Sequence, residues 1–335
     1  MGPSLICMVP RPSQLHERAR LEPAAPGSLH WFVPSTMQEN LEYWLVLAVT
    51  RVLGRMPRGL ARLLAGALAF TVYRCLGRLR RVGERNLELA LPEIPAEERK
   101  RILRRVYTHL GWQLVEFCRM SRYTPENTRG WVRTVGLDDY LAAVERGKGV
   151  MIITGHLGAW ELCSFYYSLI GSPVGMIIRR LDNRRLDDFV NGIRCLHGNR
   201  VIPKDDFGRG LLLAMREGRT VGILMDTNMT PPQGAFVKFF GQDACTATGL
   251  AHIARKTGAA VMTAFMLWEP AERGYVLYLG PEVQIPHTPD VAADILAGTQ
   301  LCNDVIESWI RRYPDQWLWI HRRWKTRPTG EPGLY

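Results

Sequence analysis

The segment Gly149-Val-Met-Ile-Ile-Thr-Gly-His-Leu-Gly-Ala-Trp-Glu-Leu-Cys163 constrains this chain more than any other. Its apolar run Val150–Ile153 stops at Thr154-Gly155, and a helical pattern begins a few residues later. That reads as strand, turn and helix, with His156 on the turn and Glu161 one turn into the helix. On a regular helix, residues five apart lie roughly 140° apart about the axis. His156 must therefore precede the helix if its imidazole is to meet Glu161. A neutral histidine held by a carboxylate is a general base able to take a proton from a hydroxyl. The bland alternative is a helix-capping histidine with an unrelated, solvent-facing glutamate. For an isolated His-x4-Glu that alternative would prevail, so the rest of the chain has to decide.

Downstream of Gly147-Lys-Gly149 the pattern alternates. Strand-like runs fall at Val150–Ile153, Val174–Ile178, Val221–Met225, Phe236–Phe240, Val261–Leu267 and Tyr275–Leu279. Helical patterns cover Ala159–Leu169, Leu186–Leu196, Gly208–Arg216, Thr248–Lys256 and Val291–Arg312. This predicts an α/β fold, a mixed central sheet flanked by helices. Ahead of it, Ala96–Met120 carries Ile102, Leu103, Val106, Leu110 and Leu114 at helical spacing.

The N-terminal third differs. Residues 1–36 hold six prolines and no sustained periodicity, and read as a disordered tail or an over-extended start with Met37 the initiator. Leu41–Thr50 and Leu63–Tyr73 are apolar blocks separated by arginines. Each is shorter than the roughly 20 apolar residues of a spanning helix, and Met56-Pro57 breaks them into two. Arg74, Arg78, Arg80, Arg81 and Arg85 follow at once. Apolar helices beside an arginine cluster suit a segment lying in or on the cytoplasmic leaflet, so these are expected to be membrane-associated helices. The competing reading is a pair of core helices with a solvated basic end.

A net charge of +11 points to a polyanionic partner, and arginines accompanied by 10 tryptophans and long apolar runs favour a membrane surface over nucleic acid. Seven scattered cysteines, none in a Cys-x-x-Cys pair, argue against a disulfide framework or a zinc site and for a reducing compartment. No metal constellation, phosphate-binding glycine motif or Gly-x-Ser-x-Gly elbow is present, so neither metal nor cofactor is expected.

His156-Leu-Gly-Ala-Trp-Glu161 is followed in order by Ile178-Arg-Arg-Leu-Asp-Asn183, Gly222-Ile-Leu-Met-Asp226, Gly234–Gly241 with Thr246 and Thr248, and Pro314–Lys325. This set, with Leu41–Tyr73, Arg85-Asn-Leu87 and Glu116, closely resembles the bacterial lipid A biosynthesis acyltransferases, the late lauroyl/myristoyl-transferase family of the lysophospholipid acyltransferase superfamily. The resemblance spans about residues 38–328. It implies that His156 is the base and Glu161 its carboxylate partner. It further implies that Arg179, Asp226, Arg322 and Arg323 belong to substrate-binding motifs. Asn228 stands where a second acid is common, and Met229-Thr-Pro-Pro232 where a Gly-Pro pair often follows, so the acceptor preference of that loop is open.

Direct attack by an acceptor hydroxyl needs a base, an oxyanion donor and grips on two substrates. His156 would supply the first, and the backbone amide near Gly158, at a helix start, is a candidate for the second, with Arg179 its rival. His109 and His321 read as structural, His252 lies in a helical pattern with no visible partner, and Trp317, Trp319 and Trp324 read as core or interfacial aromatics. The implied protein has a tail (1–36), a membrane-associated helical segment (37–85), a catalytic domain (86–328) and a C-terminal tail (329–335). It would work at the cytoplasmic face of a bacterial inner membrane, moving an acyl chain from acyl carrier protein or coenzyme A thioester to a hydroxyl of an anionic lipid A precursor. The alternatives are another lipid acceptor, a lipid hydrolase or thioesterase, or a non-catalytic membrane-binding protein.

Overall fold

A computed structural model describes residues 36–335; the Pro-rich head, apart from Thr36, lies outside the described residues. Helix α1 (Met37–Arg55) opens on a reciprocal cap in which Thr36 and Glu39 each bond the other's amide through the side chain. It ends at the expected break, because Met56 must be extended before proline (ψ 152°). Helices α2 (Arg58–Cys75), α3 (Gly77–Ala90) and α4 (Ala96–Arg119) follow. In α2 only Ala61, Ala65 and Ala69 are buried, an i,i+4 row of small residues that lets it lie close against α4. Its other faces expose Leu60, Leu63, Leu64, Leu68 and Phe70, and α1 exposes Leu41, Trp44 and Leu45. Among the described residues no single helix is long and apolar enough to cross a membrane. By length and composition, α2 and α3 qualify only as a pair, bent by 87° at their junction.

A charged clasp ties α2 to the body. Glu116 of α4, fully buried, accepts from Arg58 Nε at 3.0 Å, Arg62 Nη2 at 2.6 Å and the Tyr123 hydroxyl at 2.5 Å. The two guanidinium groups lie over aromatic rings, Arg58 over Trp131 at 3.6 Å and Arg62 over Trp268 at 4.4 Å. Removing one partner of such a buried pair costs about 3–5 kcal/mol, because the other charge is stranded. The clasp crosses the border expected between residues 85 and 86.

The rest of the chain runs through α5 (Pro125–Thr128), β1 (Val132–Val135), α6 (Leu137–Glu145), β2 (Val150–Thr154), α7 (Trp160–Leu169), β3 (Val174–Ile178), α8 (Arg184–Arg194), β4 (Arg200–Pro203), α9 (Phe207–Arg216) and β5 (Thr220–Leu224). A separate antiparallel ribbon, β6 (Gly234–Phe239) with β7 (Gln242–Ala247), precedes α10 (Gly249–Thr257), β8 (Ala260–Glu269), β9 (Gly274–Leu279) and α11 (Val291–Arg312). Seven strands form one sheet in the order β1-β9-β8-β2-β5-β3-β4, and every neighbouring pair is parallel except β8–β9. The expected mixed α/β sheet is therefore present. Strand β2 is buried on both faces, as central parallel strands are. Met151 and Ile153 face the core under α9, α10 and α11, while Val150 and Ile152 face α6 and α7. Strands β1, β4 and β7 and helices α3, α5 and α6 were not anticipated from the sequence; β1 and β4 are four-residue edge strands, too short for a periodic signal.

Candidate active site

The site follows from one feature of strand register. Strands β2 and β5 are parallel neighbours, with Thr154 opposite Leu224. Two residues beyond each partner stand His156 and Asp226, so the register itself brings them side by side at the carboxyl edge of the sheet, where open α/β sheets bind ligands. Asp226 Oδ1 lies 2.9 Å from His156 Nδ1, and Oδ2 accepts the His156 backbone N–H at 2.7 Å. The same Oδ2 accepts the indole N–H of Trp317 at 2.7 Å. Trp317 is fully buried and arrives on the C-terminal segment, which bridges back to the turn: Leu157 pairs with Trp317, and Leu318 N–H donates to the His156 carbonyl at 3.0 Å. With Nδ1–H held by the carboxylate, Nε2 is left as the proton acceptor.

Glu161 does not partner His156. Its carboxylate is gripped by Arg194 at the end of α8, with Nε at 2.8 Å and Nη2 at 2.5 Å from its two oxygens. The reason is geometric: a bidentate guanidinium satisfies both carboxylate oxygens at once, whereas the turn already presents His156 to Asp226. The Gly158 amide is not free for an oxyanion either. It donates to the Gln316 carbonyl at 3.0 Å. Glycine is required there for another reason, since φ is +66° and a Cβ would sit 2.1 Å from the Met266 carbonyl oxygen.

The basic residues divide. Arg179 lies at the mouth of the site with 78% of its side chain exposed, loosely paired to an equally open Asp182 at 3.4 Å. Arg323 is fully buried, bonding the Cys245 carbonyl at 2.9 Å and the Thr246 hydroxyl at 2.5 Å. It bolts the C-terminal segment to β7 and is not available to substrate; burial pushes its pKa down to about 10. Arg322 lies outside, 5.8 Å over the Tyr335 ring. Asn228 exchanges two hydrogen bonds of 2.9 Å with Thr326, so the departure from the family pattern here pins the same segment. His321 sits between two carbonyl oxygens, those of Leu318 at 2.6 Å and Asp226 at 3.0 Å. Trp317 is the contact that sequence reasoning missed: its motif was visible, but nothing in it signalled a bond to Asp226.

The electrostatics match the geometry. Burial alone would raise the Asp226 pKa, but the His156 imidazole, by charge and hydrogen bond, with His321 and Trp317 behind it, holds the carboxyl well below its ordinary 3.8. For His156, burial disfavours the charged ring, yet Asp226 outweighs it with help from Glu161, and the pKa rises above 6.5. Beside the imidazole lies a cavity of about 250 Å³ reaching under α7, with Trp160 and Arg179 at its rim. Among the described residues no group of three or more His, Cys, Asp or Glu side chains could hold a metal ion.

A family model for bacterial lipid A biosynthesis acyltransferases matches residues 34–326. The chain is 30% identical over 299 residues to the lipid A biosynthesis palmitoleoyltransferase of Escherichia coli (strain K12), covering 88% of this chain and 95% of that protein. It is 26% identical over 293 residues to the lauroyltransferase of the same organism, covering 87% and 94%. With the E. coli myristoyltransferase it shares 22% identity over 262 residues, covering 77% and 80%. Fold, motif order and these matches agree: the chain belongs to the bacterial lipid A biosynthesis acyltransferase family.

Proposed function

We propose that this protein transfers a fatty acyl chain from an acyl carrier protein thioester, with coenzyme A as the alternative donor, to a hydroxyl of a lipid A precursor, using His156 as the general base. Family membership makes it an acyltransferase acting in lipid A biosynthesis; donor, mechanism and location are our reading. The acceptor hydroxyl gives its proton to His156 Nε2 as its oxygen bonds to the thioester carbonyl carbon. The tetrahedral oxyanion then collapses, the C–S bond breaks, and the imidazolium returns the proton to the leaving thiolate. Asp226 fixes the tautomer and favours the imidazolium, and Trp317 holds Asp226. Glu161 keeps Arg194 in place and adds negative field at the ring. With the Gly158 amide engaged, the oxyanion is left to the unpaired first-turn amides of α7 and the positive end of its dipole.

The observation that carries this reading is the His156–Asp226–Trp317 array at the carboxyl edge of β2 and β5. Arg179 at the mouth suits a phosphate of the acceptor. The exposed apolar faces of α1 and α2 suit attachment to the cytoplasmic face of an inner membrane. Mass spectrometry of membrane lipids from cells with and without the protein tests the acceptor: a lipid A species should gain one acyl chain. A gain on a different lipid would reassign the acceptor. Release of free fatty acid without transfer would point to a thioesterase.

A further inference from the structure

Gly222 occupies the middle of β5, paired to Ile152 on one side and Met176 on the other. A glycine inside a strand weakens it and marks a bulge, a bend or the close approach of another group. Neither of the first two applies, because the β2–β5 register runs unbroken from Val150 to Thr154 and the Gly222 backbone lacks a positive φ. Protein packing does not demand it either. A Cβ at Gly222 would meet nothing nearer than the Gly175 carbonyl oxygen at 3.9 Å, whereas one at neighbouring Gly175 would press on Val221 at 3.1 Å and Ile202 at 3.2 Å. The space that Gly222 keeps open is the cavity beside His156, of about 250 Å³.

The chemistry of that cavity names its occupant. Met176, Ile178 and Leu224 line it together with Gly222. The charged groups in its wall are closed on each other: Arg194 gives Nε and Nη2 to Glu161 and Nη1 to Asn191. Arg179 lines only the rim, mostly exposed and paired to Asp182 at 3.4 Å. A phosphate would find no unpaired cation within, and a hydrocarbon finds an apolar floor.

We propose that this cavity receives the acyl chain beyond the thioester carbonyl, and that Gly222 sets how much chain it accepts. The proposal rests on the acyl-transfer reading above. The test uses the full chain in detergent, a lipid A precursor as acceptor, and a ladder of saturated acyl carrier protein thioesters differing by two carbons. Gly222→Ala and Gly222→Val should shift preference stepwise to shorter chains, and Met176→Ala should shift it to longer ones. For Gly222→Val, kcat/KM with the longest donor the native enzyme uses should fall at least about tenfold relative to the shortest. The apparent KM for the acceptor should stay unchanged. A uniform loss across the ladder in a folded variant, or a raised acceptor KM with an unchanged chain profile, overturns the assignment. The unsubstituted protein reports on the underlying reading separately: if it transfers no chain of any length, both fall.

Discussion

Replacing Asp226 by Asn is the sharpest perturbation of the proposed base. One oxygen of the carboxylate accepts two N–H donors, the His156 amide and the Trp317 indole, and the other faces His156 Nδ1. Asn keeps the shape, and its single oxygen goes to the side with two donors. Its NH2 then faces Nδ1, which must become an acceptor, so the ring proton moves to Nε2 and the base is lost. The equivalent tautomer error at a serine-protease triad lowers kcat by about 10⁴, and a loss of roughly 10³- to 10⁴-fold is expected here. Glu161→Gln should cost less than about tenfold in kcat, because Glu161 acts on the imidazole only through space. The assay is single-turnover acyl transfer with both substrates saturating, on variants shown to be folded by thermal melting. Near-native turnover by Asp226→Asn alongside a thousandfold loss in Glu161→Gln would refute the pairing and restore the His-x4-Glu dyad.

Other outcomes follow from the same geometry. His156→Ala should lower turnover by roughly 10²- to 10⁴-fold while the protein still folds, with a lowered melting temperature because buried Asp226 loses its partner; near-native turnover by the folded variant counts against the mechanism. The His156–Asp226 pair should stabilise the protein most between pH 3.8 and 6.5. His156, its pKa raised, contributes fully below 6.5 and loses its contribution as pH climbs through the folded value. Asp226, its pKa lowered, contributes above 3.8 and loses its contribution as pH falls through the folded value. Melting temperature against pH should lose this hump in Asp226→Asn, and an unchanged profile would contradict the coupling. Arg323→Met should lower stability by a few kcal/mol, since the carbonyls of Thr227 and Cys245 and the Thr246 hydroxyl lose their donor, and an unshifted melt would deny its bolting role. A chain starting after Arg85 should fail to fold cooperatively, because losing Arg58 and Arg62 strands Glu116 in the interior. A stable, soluble product would make residues 37–85 a detachable anchor after all.

Much of this was legible in the residues, and the gaps have physical causes. The runs Val150–Ile153 and Val221–Met225 announced the two strands that carry His156 and Asp226 at their ends. What no local pattern encodes is that these strands are neighbours, although about 70 residues apart in sequence, because strand order in a parallel sheet is set by the crossovers between strands. Without that adjacency, Glu161 was the nearest acid in sequence and drew the assignment. Arg194, the group that removes it, lies 33 residues on and reaches it only through the packing of α8 on α7. The break at Met56-Pro57 and the full extent of α11 were readable because proline sterics and helical periodicity are local. The burial of Arg323 was not legible, because sequence shows a cation but not its surroundings.

The bond from Trp317 to Asp226 spans 91 residues and closes over a bond of 70 residues between Asp226 and His156. The proposed proton acceptor is thus assembled where three distant stretches meet, and the last of them lies 91 residues beyond the acid. A nascent chain that has reached only Asp226, two residues past β5, has the histidine and the acid but not the indole that fixes the acid's orientation. A chain clipped before Trp317 loses that hydrogen bond and the backbone bridge to Leu157. On the proposed mechanism, a molecule not yet folded through Trp317 lacks the assembled base, and so cannot squander activated acyl groups on water.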